Sequence, residues 1–166
     1  MVPFTHSDRA RLETQLDHSE GFRLKAYRCT SGRLSIGRGH NCDASPVPGV
    51  SKVGDSITRE QAEALFQADL DMAIANVRQT LPWVTELSAA RQAVLYDMAF
   101  NMGVGNSKRG LLSFRNTLKY IEFGDYEKAA SNMMMSAWAY QVGDGPGGRF
   151  DRAERLARQM ETGAWQ

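Results

Sequence analysis

Hydrophobic residues recur every three or four positions along much of the chain, which predicts a largely helical protein. The clearest segment starts at a capping box, Thr-Arg-Glu-Gln at 58–61, and continues until Pro82 ends it. Over residues 88–102 apolar side chains occur nearly all round the helix, as in a buried central helix. Further helices are predicted over 7–20, 113–122, 126–135 and 148–161.

Residues 22–56 have a different pattern. Glycines and prolines separate short runs such as Arg-Leu-Ser-Ile at 33–36, which favours a small antiparallel sheet with loops. The predicted fold class is therefore α+β. We expect one domain over 1–166, made of an N-terminal helix (7–20), a small sheet lobe (21–57), a linking helix (58–81) and a helical lobe (82–166).

Composition narrows the class of protein. The 166 residues are 42% hydrophobic and 23% charged, as in ordinary globular chains. Twenty basic against nineteen acidic residues leave a net charge of +1, which does not favour a nucleic-acid partner. The chain has neither a zinc-ligand spacing nor an apolar run long enough for a membrane span, and its N-terminus lacks a signal-peptide pattern. We expect a monomer made in the cytoplasm, with no metal, cofactor or stable membrane insertion.

The candidate chemistry lies between residues 19 and 40. Glu20 closes the first predicted helix, eight residues separate it from Cys29, and five more separate Cys29 from Ser35. Because the chain returns through a hairpin, we expect the three side chains to converge on one cleft beside Glu20.

This spacing, within the pattern EGxRLxxY…G…SIGxGH, resembles the phage-type lysozymes, or endolysin muramidases. Their signature is Glu, eight residues, Asp or Cys, five residues, then Thr. The resemblance extends to residues 58–71 (the interlobe helix), 99–103 and 113–118 (cleft-lining segments), and 152–155 with 162–165 (the C-terminal signature). It implies a lysozyme-like fold and hydrolysis of the β-1,4 bond between N-acetylmuramic acid and N-acetylglucosamine in bacterial peptidoglycan, during host cell lysis. It also implies action on the wall in the periplasm once the membrane has been opened.

Within this resemblance Glu20 is the general acid. A helix C-terminus disfavours carboxylate charge and helps to keep the proton on Glu20. The family acts with inversion, which requires room for a water between Glu20 and Cys29. An ordinary thiol is only a few per cent ionised at neutral pH. The role of Cys29 therefore stays open between weak base, nucleophile and positioning of water. Ser35 stands where the family usually has Thr, and its hydroxyl can orient a water.

The resemblance also assigns supporting and sugar-binding residues. It implies that Arg152 reaches Glu20 and fixes its rotamer, which would lower the carboxyl pKa and oppose the helix dipole. It implies that His40 pairs with Asp69 on the long helix in a structural role. The residues implied to hold sugars are Phe100, Asn101, Phe114 and Asn116, and Phe100 is equally well explained as a core residue.

Three other hypotheses about these residues are open. A degenerate muramidase would bind peptidoglycan without cutting it, which the departures at Cys29 and Ser35 motivate. A thiol hydrolase using Cys29 with His40 would cut peptide cross-links instead, but Cys–His catalysis needs the imidazole within hydrogen-bond reach of the thiol. Finally, oxidation that joins Cys29 to Cys42 would inactivate the site, if the two thiols lie close together.

Overall fold

The computed structural model describes residues 1–142 and 151–166, and in these it is mixed, with seven α-helices and one three-stranded antiparallel sheet. This confirms the α+β class. The predicted helix over 148–161 has its first three positions outside the described residues. The elements are α1 (His6–Glu20), β1 (Arg23–Arg28), β2 (Leu34–Gly37), β3 (His40–Asn41), α2 (Arg59–Thr80), α3 (Ala89–Met102), α4 (Arg115–Glu122), α5 (Tyr126–Met135), α6 (Ala137–Gln141) and α7 (Asp151–Thr162).

The chain forms two compact units. We call residues Leu16–Met72 the sheet unit, and Met1–Gln15 together with Ala73–Gln166 the helical unit. Both α1 and α2 contribute residues to each unit, because the boundaries lie within these helices.

In the sheet unit the strands lie in the order β1-β2-β3. Tyr27 on β1 is opposite Ser35 on β2, and Ile36 is opposite His40 on β3. One apolar cluster supports the sheet and the start of α2; it consists of Ala26, Leu34, Ile36, Cys42, Val47, Val50, Ile57 and Ala62. The sheet is small, so these few side chains fix its register by burying one face.

The capping box before α2 forms as the sequence predicts. The backbone N–H of Thr58 donates to Gln61 Oε1 at 2.8 Å, and the N–H of Gln61 donates to Thr58 Oγ1 at 3.1 Å. These reciprocal bonds satisfy two donors that a helix start otherwise leaves without partners. The helix then continues to Thr80, and Pro82 opens a short 3₁₀ turn.

The helical unit is built around α3, in which nine of fourteen residues are buried. Ser88 caps this helix by accepting the N–H of Arg91 at 3.4 Å. The predicted helix over 113–122 is divided, since a 3₁₀ turn at Leu111–Ser113 precedes α4. In the two described ranges, no helix combines the length and apolarity that crossing a bilayer requires.

Candidate active site

Glu20 is the last residue of α1, and its carboxylate faces the turn between β2 and β3. Its Oε1 atom is buried, and a Cβ placed on Gly39 would lie 3.5 Å from Oε2. Gly39 has a φ of +81°, which favours glycine, so this turn comes close to the carboxylate. Arg38 next to it pairs with Asp17 on α1 and, at 2.8 Å, with Glu63 on α2. These ion pairs hold the end of α1 that carries Glu20.

Cys29 lies in the hairpin loop between β1 and β2. The Cys29 N–H donates to Arg33 O at 3.0 Å, and the Gly32 N–H donates to Cys29 O at 2.8 Å. The bond between Cys29 and Arg33 leaves three residues, 30–32, as the connection, and the last of them, Gly32, is left-handed with a φ of +81°. The sulfur atom of Cys29 lies 3.0 Å from Ser31 Oγ.

The hairpin changes the acidity of this thiol. The Ser31 hydroxyl lowers the pKa of Cys29 most, and the backbone N–H groups of Ser31 and Arg33 and the Ser35 hydroxyl lower it further, to about 6. The expectation from the sequence took the pKa of a solvated thiol; the donors that the turn directs at sulfur favour the thiolate form over that starting value.

Ser35 and Tyr27 are neighbours of this thiol. Ser35 is buried in β2, and its Oγ lies 3.4 Å from Arg33 O. The guanidinium of Arg23 lies 4.3 Å from the centre of the Tyr27 ring. Burial raises the pKa of Tyr27, Arg23 opposes this, and the charges of Glu20 and Cys29 raise it further. Glu20 and Cys29 thus both favour the neutral form of the Tyr27 phenol.

His40 is bonded to Asp69, as the family resemblance implies. Its Nδ1 lies 2.8 Å from Asp69 Oδ2, and its Nε2 lies 2.9 Å from Ser45 O. A carbonyl oxygen and an ionised carboxylate only accept hydrogen bonds, so the ring meets both best as an imidazolium with two N–H groups. The bond to Asp69 accordingly raises the pKa of His40 above its usual value. His40 is engaged at both nitrogens, which leaves no ring nitrogen for a Cys29–His40 dyad.

In the helical unit, Trp138 links two of the predicted sugar-binding residues. Its Nε1–H donates to Asn101 Oδ1 at 3.3 Å, and its ring meets Phe114 edge to face with centroids 6.1 Å apart. Trp138 itself is buried, whereas Asn101 is exposed and Phe114 is half-buried. Asn116 is exposed on α4 and Phe100 is half-buried on α3. The structure therefore brings Asn101 and Phe114 together through a third residue.

Arg152 forms a buried ion pair with Asp97 of α3. Its Nε and Nη2 donate to Asp97 Oδ1 at 3.0 and 2.8 Å, and both side chains are at most 3% exposed. That Arg152 also reaches Glu20 stays a prediction. Among residues 1–142 and 151–166, no group of three or more His, Cys, Asp or Glu side chains is arranged to hold a metal ion.

The comparisons with known proteins agree on one family. A family model described as "Phage lysozyme" matches residues 17–156. A protein named "Probable T4-type lysozyme 1" from Dictyostelium discoideum is 30% identical over 92% of this chain and 94% of its own. The "Endolysin" of Acyrthosiphon pisum secondary endosymbiont phage 1 is 32% identical over 69% of each chain. The "Peptidoglycan hydrolase gp36" of Pseudomonas phage phiKMV is 30% identical over 88% of this chain but only 14% of its own length. The chain belongs to the phage lysozyme family.

In this phage lysozyme, sequence reasoning missed three residues that contact individual predicted site residues: Ser31 at Cys29, Asp97 at Arg152 and Trp138 at Asn101. Ser31 had a local signal, because it lies two residues after Cys29 in a turn that the glycine already indicated. The signal for Asp97 was weaker: it is the one acidic residue of a mostly apolar helix, and acidic residues are almost never fully buried without a partner. Trp138 lies 37 residues from Asn101, and nothing local connects the two.

Proposed function

We propose that this phage lysozyme hydrolyses the β-1,4 bond between N-acetylmuramic acid and N-acetylglucosamine in bacterial peptidoglycan. Family membership and relatives named lysozyme, endolysin and peptidoglycan hydrolase support a peptidoglycan hydrolase. The observation that carries the bond assignment is the hairpin of the sheet unit. There Cys29, whose pKa is lowered by hydrogen-bond donors of the hairpin, and Ser35 belong to the same unit as the Glu20 carboxyl, which supports the proposal.

The chemistry follows from these groups. Glu20, in its acid form, donates a proton to the bridging glycosidic oxygen as the bond to the anomeric carbon breaks. A water attacks that carbon from the opposite face, and the Cys29 thiolate takes its proton. The Ser35 hydroxyl orients the water. The products are two shortened glycan strands and a protonated Cys29, which returns its proton to solvent while Glu20 is protonated again.

Attack by water predicts inversion at the anomeric carbon. The lowered pKa of Cys29 also favours a second mechanism, because a thiolate is a competent nucleophile. Attack by the Cys29 sulfur would form a glycosyl–enzyme intermediate, and its hydrolysis would give retention. Nuclear magnetic resonance of the first-formed product anomer, recorded before mutarotation, distinguishes the two mechanisms.

The central test is Glu20→Gln, with Glu13→Gln on the same helix as the matched control. We expect Glu20→Gln to lower the rate of reducing-sugar release from purified cell walls by about 100-fold or more, because loss of a general acid has that size. The variant should still pellet with walls. Glu13→Gln should keep nearly full activity. Normal wall lysis by Glu20→Gln would refute the proposal.

The same assay separates the two other functions. A wall-binding module without activity would pellet with walls and leave the suspension turbid even as the native protein. A thiol hydrolase would release free amines instead of reducing sugars.

We further propose that the protein acts as a monomer on glycan strands of the host wall, reached after the membrane has been permeabilised.

A further inference from the structure

We propose that Ser31, held in place by Arg33, is a positioning residue whose hydroxyl donates a hydrogen bond to the sulfur of Cys29 and stabilises negative charge there. The role of Cys29 in the reaction rests on the proposed function. The ionisation of its thiol, however, can be measured without substrate.

Arg33 fixes the direction of one of the two hydrogen bonds at Ser31. Its Nε–H donates to Ser31 Oγ at 2.9 Å, and a guanidinium is only a donor. Ser31 Oγ must therefore accept this bond, which polarises its own O–H group. The Cys29 sulfur lies 3.0 Å from the same oxygen, and a thiolate, which has no proton to give, can only accept the Ser31 O–H. The resulting series from Arg33 through Ser31 to Cys29 has the polarity that stabilises an anion at sulfur, and consecutive bonds of this kind strengthen one another.

The hairpin loop holds Ser31 in this position. Arg28 donates through Nη1 to Gly32 O at 3.0 Å, on the far side of the same turn. The backbone N–H groups of Ser31 and Arg33 and the Ser35 hydroxyl also lower the pKa of the thiol, so most of the donors come from the turn itself. A chain with a carboxylate in place of Cys29 would not need this arrangement, since an aspartate is ionised at neutral pH without help.

Other charged groups near the loop are engaged elsewhere. Asp43 accepts the backbone N–H of Leu34 at 2.9 Å and lies 3.6 Å from Arg28 Nη1. The guanidinium of Arg23 lies over the ring of Tyr27. The charge of Glu20 raises the pKa of that phenol. A negative charge at Glu20 would likewise favour the neutral thiol of Cys29. Ser31 and Arg33 are thus the side chains whose removal should change the ionisation of Cys29 most directly.

The test measures the pH dependence of Cys29 alkylation by iodoacetamide in the full-length protein, with the modified site identified by peptide mass spectrometry. The native protein should show a midpoint at about 6. Ser31→Ala should raise this midpoint by about one to two pH units, because a hydrogen bond to a charged group has that size. At pH 6 the thiolate fraction, and with it the alkylation rate, should fall by about fivefold to fiftyfold.

Three further variants make the result specific. Arg33→Gln should raise the midpoint in the same direction, and Ser31→Thr, which keeps the hydroxyl, should restore the native value. Lys52→Gln removes an exposed cation of the sheet unit that lies outside this turn, and it should leave the midpoint unchanged. If Ser31→Ala fails to fold, as judged by circular dichroism, Arg33→Gln and Ser31→Thr still decide the question. A midpoint within 0.3 pH units of native in folded Ser31→Ala, or in Arg33→Gln, would overturn the inference.

A second readout separates this inference from the proposed function. If the thiolate is the base, the acidic limb of the kcat/KM profile for wall hydrolysis should move to higher pH in Ser31→Ala. A shifted alkylation midpoint with an unshifted activity profile would support the role of Ser31 and refute the role of Cys29 as base.

Discussion

Replacing Arg152 with Met should destabilise the helical unit strongly. Its guanidinium donates twice to Asp97 Oδ1, and both side chains are at most 3% exposed. The second carboxylate oxygen, Oδ2, is buried as well, so water cannot readily replace the lost partner. Removal of one member of a buried ion pair costs about 3–5 kcal/mol, because the other charge stays buried and uncompensated. For a chain of this length the melting temperature should fall by about 6–20 °C.

The assay is thermal unfolding at pH 7, together with chemical denaturation to obtain the free energy of unfolding. Arg158→Met on the same helix is the matched control, because Arg158 is exposed and should change stability by less than about 0.5 kcal/mol. Adding Asp97→Asn to Arg152→Met removes the stranded negative charge. The double variant should therefore be more stable than Arg152→Met alone.

Two results would refute this reasoning. A loss below about 1 kcal/mol in Arg152→Met would mean that the pair contributes no more than an exposed one. A double variant no more stable than Arg152→Met would mean that the loss comes from packing of the arginine side chain and not from the buried carboxylate.

Two further predictions concern single hydrogen bonds. The bond to Asp69 raises the pKa of His40, so its stabilisation is fully present below the unfolded-state value of about 6.5 and is lost as the pH rises through the higher folded value. The melting temperature of the native protein should therefore exceed that of His40→Asn most at low pH, and a difference that does not vary from pH 5 to 9 would contradict this. Trp138→Phe keeps a buried ring beside Phe114 but removes the donor to Asn101. The KM for walls should rise by about twofold to tenfold with kcat unchanged, and a fall in kcat alone would argue against a role of Asn101 in binding.

The local elements were predictable because their causes lie within a few residues. The reciprocal bonds of Thr58 and Gln61 connect positions three apart, and the end of α1 lies at Glu20, followed by a glycine with a φ of +68°. The hairpin that carries Cys29 and Ser35 is equally local. The pairing of His40 with Asp69, 29 residues away, was found only through the family resemblance.

The sequence by itself determined the α+β class, the order of the elements, the family and the catalytic candidates, since periodicity, caps and a spaced motif are properties of neighbouring residues. The tertiary structure alone decided how those candidates are held and charged. Arg152 meets Asp97 across 55 residues, and Trp138 meets Asn101 across 37. The ionisation of Cys29 depends on where a folded turn directs its donors. Such pairings and pKa values depend on distances and burial, which exist only once the chain has folded.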